Sequence, residues 1–137
     1  MIGVIASSAV QNKVYWTLQT GTYASNTFIT NRSGFTPGPV YTSPSFTAVR
    51  PKTINMNCRI TQYDWIAPCS YTLELYYVSS GWVTVASGGQ DVNAGTTWTF
   101  NINVAVSREE KATQYRFTSN CRSNSDSQTI KFTEWYV

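Results

Sequence analysis

Residues Thr96 to Val106 read TTWTFNINVAV. Trp98, Phe100, Ile102, Val104 and Val106 alternate without interruption against Thr97, Thr99, Asn101, Asn103 and Ala105. Successive side chains of a strand point to opposite faces, so this period of two predicts a strand with one face in a core and the other in water. Aromatic and β-branched residues dominate the apolar set, as a pleated and half-buried surface favours.

The same grammar extends in both directions. Alternation predicts strands over Lys13–Thr20, Asn26–Thr30, Ser45–Val49, Thr53–Tyr63, Ser70–Val78, Trp82–Ser87, Ala112–Ser119 and Gln128–Val137. Ser79-Ser80-Gly81 between two of these runs reads as a bulged hairpin turn. Asn31–Pro44 holds three prolines and two glycines and reads as a long ordered loop or a ragged edge, since proline removes a ladder donor and fixes φ. Asp64–Cys69 reads as a turn, Gly88–Gly95 as a glycine-rich loop, and Asn120–Ser127 as a polar turn. Turn signals recur about every ten residues, and no helical apolar stripe interrupts them. The expectation is an all-β chain of eight or nine strands, folded as a two-sheet antiparallel β-sandwich of jelly-roll type. The expected core is Trp16, Leu18, Ile54, Met56, Ile60, Leu73, Leu75, Val83, Val85, Trp98, Phe100, Ile102, Val104, Phe117, Ile130 and Phe132.

With 137 residues the chain suits one domain, 1–137, with residues 1–12 an N-terminal arm or docking segment. Mean hydropathy is -0.25, and no apolar run approaches the ~18 residues that a membrane span needs. MIGVIASSAV lacks the basic start of a secretion signal. Net charge is +3, too small to argue for nucleic acid. The charge is uneven. Residues 1–63 hold Lys13, Arg32, Arg50, Lys52 and Arg59 and no acid, whereas the remainder carries all seven acids. Such a bias arises by scatter on an interleaved fold, or serves head-to-tail contact between subunits or docking to an anionic surface.

The composition excludes several chemistries. There is no histidine, which removes Ser-His-Asp and Cys-His nucleophilic sites and His-based zinc sites. Among the acids only Glu74 and Glu134 fall on strands where they could face one another as a glycosidase pair, and two solvated strand residues are the more economical reading. Asp91 and Asp126 sit in loops but form no calcium-loop pattern. Gly88-Gly89 precedes no helix, so it is no phosphate loop. No cofactor, metal site or catalytic residue is expected, and the chain is expected not to be an enzyme. Cys58, Cys69 and Cys121 make an odd count without a C-x-x-C pair, which leaves any single bridge among them unassigned. Without a secretion signal, free thiols in a reducing cytosol are favoured, with Cys58 on the core face of its strand.

Five Trp, nine Tyr and six Phe exceed what a core of this size requires. Trp65 lies in a turn and Trp82 opens a strand beside one, so neither follows the core alternation. Tyr76, Tyr23 and Tyr41 are further candidates for the surface. Exposed aromatics at the edges of a sandwich stack on sugar rings or anchor subunits to one another. The candidate ligand or interface residues are therefore Trp65, Trp82, Tyr76 and Tyr23, with Arg59 and Arg116 as neighbouring polar contacts.

Ser7–Val14 reads SSAVQNKV, a segment that resembles one recurring in tail-fibre and adhesin-like proteins of phages infecting gut bacteria. The closing strands, from YTLELYY through the Trp98 strand to YRFTSN and IKFTEWYV, resemble in pattern those of jelly-roll carbohydrate-binding domains. These resemblances imply a non-enzymatic virion structural protein made in the host cytoplasm. It would be a surface decoration protein or a tail adhesion module contacting host surface glycan. Its partners would be copies of itself, as a homo-oligomer, other virion proteins and host surface polysaccharide, with no nucleic acid and no membrane span. The alternatives are a free-standing carbohydrate-binding module and a subunit of a secreted toxin-like assembly, either of them secreted or at the cell surface.

Overall fold

The computed structural model describes residues 16–31, 38–63, 67–120, 123–124 and 127–137, and these form ten strands. They are β1 (Leu18–Thr20), β2 (Ser25–Phe28), β3 (Val40–Thr42), β4 (Arg50–Gln62), β5 (Ala67–Tyr77), β6 (Gly81–Val92), β7 (Thr97–Ala105), β8 (Ala112–Ser119), β9 (Ser123–Asn124) and β10 (Gln128–Tyr136). The described residues contain no helix.

β1 pairs with the end of β10 and β2 with its beginning, so the two are successive pieces of one edge broken at Gly21, whose φ is 121°. β9 pairs with Thr61 and Gln62 of β4, just beyond the stretch of β4 that β10 covers, and so extends β10. One sheet then runs β1/β2, β9/β10, β4, β7, and the other runs β3, β8, β5, β6. Every pairing is antiparallel. Consecutive strands β2 and β3, β4 and β5, β6 and β7 lie in opposite sheets, which is the eight-position jelly roll expected from the alternation.

Between the sheets lie Ile54, Met56, Cys58 and Ile60 of β4, Leu73, Leu75 and Tyr77 of β5, Tyr115 and Phe117 of β8, and Ile130 and Phe132 of β10, each at most 2% exposed. Nine of the expected core residues are buried. Val83, Val85, Trp98, Phe100 and Val104 pack against the core but stay half-buried, because β6 and β7 are the outermost strands of their sheets. Leu18 is 41% exposed, since the three-residue β1 covers only the end of β10. Trp16 is half-buried among charges, with the Arg50 guanidinium 5.7 Å and the Lys111 ammonium 5.5 Å from its ring centroid.

Several boundaries depart from the sequence reading. The Gly88–Gly95 stretch is strand as far as Val92, paired residue by residue with β5. Gly88 and Gly89 are there for space: a Cβ on Gly88 would lie 2.8 Å from the Tyr71 hydroxyl, and one on Gly89 2.6 Å from the Cys69 carbonyl oxygen. Asn31–Pro44 supplies the ragged edge, one of its two readings: β3 adds a short edge to β8. Ser45–Val49 forms no strand, only the single bridge between Val49 and Ala112. β5 begins at Ala67, inside the expected Asp64–Cys69 turn, and β9 lies within the expected Asn120–Ser127 turn. β4 carries Arg50, Lys52 and Arg59 and lies beside β10, which carries Glu134, so basic residues of the first part and an acid of the second share one sheet.

Candidate functional site

The outer face of the β3-β8-β5-β6 sheet presents the even-numbered residues of β5, because the odd-numbered ones fill the core. Register brings Tyr76 opposite Trp82, and Glu74 opposite both Thr84 and Arg116. A bulge in β6 beside Leu73 and Glu74 sets the phase that puts Trp82 on this face. Three of the residues singled out from the sequence, Trp82, Tyr76 and Arg116, therefore meet on adjacent strands.

Their geometry is specific. The Arg116 guanidinium lies 4.3 Å from the Trp82 ring centroid. Tyr76 meets Trp82 edge to face, centroids 5.3 Å apart at 68°. Arg116 donates two hydrogen bonds to the Glu74 carboxylate, Nε to Oε1 at 3.0 Å and Nη2 to Oε2 at 2.9 Å. This bidentate pairing fixes the guanidinium plane over the indole. Gln114, beside Tyr76 in register, donates its amide to the Ser43 carbonyl at 2.9 Å. The result is a half-buried aromatic pair flanked by planar, immobilised polar groups. Such a surface stacks on the apolar face of a sugar ring while hydroxyls bond at its rim. Glu74 is thus an ion-paired residue and not the solvated one its strand position suggests, because its partner is set by the pairing of β5 with β8.

The other candidates go elsewhere. Tyr23 lines a second feature, a crevice of ≈ 380 Å³ at the β2–β3 side of the sandwich, walled by Tyr41, Phe46 and Tyr115 as well. Tyr23 donates its hydroxyl to the Thr47 carbonyl at 2.7 Å and meets Phe46 edge to face at 6.1 Å. The Asn26 amide donates to the hydroxyls of Tyr41 at 2.7 Å and Tyr115 at 3.0 Å. Burial pushes the Tyr115 phenol up to about 12, so it stays protonated across the ordinary pH range. Arg59 lies on the outer face of the opposite sheet, across from Thr99, so the structure does not bring it to Arg116. Trp65 lies outside the described residues.

That opposite face is polar, with Arg59 and Lys131 exposed among uncharged Asn and Thr side chains. Asn55 faces Asn103, Asn57 faces Asn101, and Thr27 and Thr61 hydrogen-bond Thr129 and Thr97 through their hydroxyls at 3.0 and 2.8 Å.

Glu74 and Glu134 belong to different sheets, and each has its own cation. Glu134 lies 3.5 Å from Lys52 Nζ. Cys58 and Cys69 are buried thiols, Cys69 accepting a hydrogen bond from the Gln62 amide at 3.2 Å, and burial pushes the Cys58 thiol up to about 12. Cys121 and Asp126 lie outside the described residues. No group of three or more metal-ligating side chains occurs among the described residues. No helix among them is long and apolar enough to cross a membrane.

A second cluster caps the end of the sandwich where β5 turns into β6. Ser79, Ser80 and Arg108 all donate to the Glu110 carboxylate. These hydrogen bonds hold the Glu110 carboxyl down at about 2. Arg50 donates to the carbonyls of Arg108 at 2.8 Å and Ser107 at 3.2 Å, which ties the charged turn after β7 to β4. The cluster is a brace between loops, with its carboxylate oxygens already occupied.

No family model and no curated protein matches the sequence. Several solved structures are similar at low identity. One is that of PirA, 12% identical over 82% of this chain and 93% of that one, with a TM-score of 0.43. Another is CBM28, a carbohydrate-binding module described as specific for non-crystalline cellulose, 6% identical over 88% of this chain and 79% of that one, with a TM-score of 0.46. A third is the enzymatically active domain of tailspike protein 4 from bacteriophage CBA120, 10% identical over 89% of this chain and 19% of that one, with a TM-score of 0.41. Likeness at this level is one of strand arrangement.

Proposed function

We propose that this chain is a non-catalytic β-sandwich module of a phage particle that contacts surface polysaccharide through the outer face of its four-stranded sheet. The observation that carries the binding reading is the meeting of Trp82, Tyr76 and the Arg116–Glu74 pair on adjacent strands. An aromatic pair left half-open beside fixed donors and acceptors is suited to a polar, ring-shaped ligand that offers one apolar face. Placement on a phage particle, as decoration protein or tail adhesion module, rests on the Ser7–Val14 resemblance. The same aromatic patch serves a free-standing carbohydrate-binding module equally well, and the two differ only in whether the protein copurifies with particles.

Absence of catalysis is part of the proposal. It is supported by the lack of histidine and by the separation of Glu74 and Glu134 onto different sheets, each beside a cation. A glycan array probed with the purified protein, followed by titration calorimetry on the best ligand, tests the binding reading. Trp82→Ala should weaken that affinity by ~2 kcal/mol, about 30-fold, while leaving the strand spectrum unchanged. Binding unaffected by Trp82→Ala, or release of reducing ends from the bound glycan that Glu74→Gln abolishes, would overturn the proposal.

A further inference from the structure

We infer that the free edge of β7 is the seat of a two-fold dimer, in which β7 of one copy pairs antiparallel with β7 of another, centred on Asn101. The inference stands apart from the glycan reading and uses a different part of the molecule.

The edge is defined by register. Gln62 N–H donates to the Thr96 carbonyl at 3.0 Å, and Val106 N–H donates to the Lys52 carbonyl at 2.8 Å. Between these bonds the register of β4 with β7 runs from Thr61–Thr97 to Thr53–Ala105 without a shift. In an antiparallel ladder, residues bonded to a given neighbour alternate with residues whose N–H and C=O point away from it. Trp98, Phe100, Ile102 and Val104 therefore bond to β4. Thr97, Thr99, Asn101, Asn103 and Ala105 turn their backbone groups outward, and no strand among the described residues pairs with them.

Monomeric proteins blunt such an edge with a lysine, a proline, a bulge or a short strand. β7 has none of these over its nine residues. The apolar side of the same edge is also incomplete. Trp98, Phe100 and Val104 of β7, with Val83 and Val85 of β6 beside them in the other sheet, follow the core alternation yet remain half-buried. Trp98 and Phe100 stack on each other at 4.1 Å, and Phe100 stacks on Tyr71 at 4.7 Å, so these rings already hold fixed positions.

A second copy is the occupant that fits. About Asn101 the strand matches its own reversal: Thr99 meets Asn103 and Thr97 meets Ala105 on the wet face, while Trp98 meets Val104 and Phe100 meets Ile102 on the core face. A two-fold axis sets the central residue against its own symmetry mate, which punishes charge at the centre. None of the nine positions is charged. Asn101 also has the outward backbone groups that the central bonded pair of such a dimer requires. The pairing would form about ten backbone hydrogen bonds and merge two sheets into one.

Sedimentation equilibrium and amide hydrogen exchange on the full chain test this. The wild type should sediment at twice its 15.3 kDa mass, and the amides of Thr97, Thr99, Asn101, Asn103 and Ala105 should gain protection as concentration rises. Asn101→Pro removes only an outward N–H and should weaken the dimer at least ~10-fold with the strand spectrum kept. Asn101→Lys, which sets like charges face to face, should do the same and decides the matter where the proline variant fails to fold. Asn57→Lys on the neighbouring strand should leave dimerisation unchanged. A monomer at ~100 μM, above the usual range of specific dimer affinities, a dimer indifferent to both Asn101 variants, or a monomer with these amides protected at every concentration would each overturn the inference.

Discussion

Phe117 and Phe100 face the same core from opposite sheets, and truncating each to alanine should separate the closed part of that core from its open edge. Phe117 is wholly buried, with Tyr71 at 6.0 Å and Phe28 at 6.3 Å between ring centroids. Its loss removes a full aromatic transfer contribution and leaves a cavity that strands on both sides resist closing, so Phe117→Ala should cost about 3–5 kcal/mol. Phe100 follows the same alternation, but β7 has no outer neighbour among the described strands and the ring is half-buried. Half the transfer contribution, about 1–1.5 kcal/mol, plus about 1 kcal/mol for stacking on Tyr71 and Trp98, puts Phe100→Ala near 2–2.5 kcal/mol in the monomer. For 137 residues the unfolding entropy is about 0.3 kcal/mol per kelvin, so the expected drops in Tm are about 13 °C and about 7 °C. Urea denaturation followed by tryptophan fluorescence, run at low protein concentration to keep the chain monomeric, gives both values with unchanged m. Equal losses, or the larger loss at Phe100, would refute the argument that the outermost strand leaves its core face part-covered.

Gly89→Ala should destabilise the fold by about 1–3 kcal/mol, because its Cβ would sit 2.6 Å from the backbone oxygen of Cys69, which β5 cannot withdraw without losing register; chemical denaturation reads this directly. Glu110 has a folded pKa of about 2, below its ordinary 4.5, so its contribution to stability is fully present above about pH 5 and is lost as pH falls toward 2. The stability gap between wild type and Glu110→Gln should therefore shrink across that window, and a gap that stays constant from pH 6 to 2 would contradict the hydrogen-bonded carboxylate. Cys58 should resist a thiol reagent at pH 8 in the folded protein and react at once in urea, since its thiol is buried and its pKa is raised to about 12; rapid labelling under native conditions would show that β4 opens.

Alternation alone determined that this chain is all-β, and it located most of the core. Ile54, Met56 and Ile60, Leu73 and Leu75, Phe117, Ile130 and Phe132 could be read as inward because a strand buried on one face imposes its period of two on the sequence. Alternation says which side of a strand is apolar but not how completely that side is covered. Trp98, Phe100 and Val104 carry the same pattern as Ile54 and are half-buried where their strand ends a sheet, although Ile102 among them is covered. The same limit explains Gly88 and Gly89, which look like a loop and are strand residues whose missing side chains leave room for Tyr71 and Cys69. Strand order is set by long-range pairing, and residues 42 apart, such as Glu74 and Arg116, carry no mark of one another in the sequence. Composition and position singled out Trp82, Tyr76 and Arg116 as surface candidates one at a time. Only the register of β5 between β6 and β8, phased by the bulge in β6, placed them together, because a shift of one residue along any of these strands would turn the same side chains into the core, while Arg59 lies apart because β4 belongs to the other sheet.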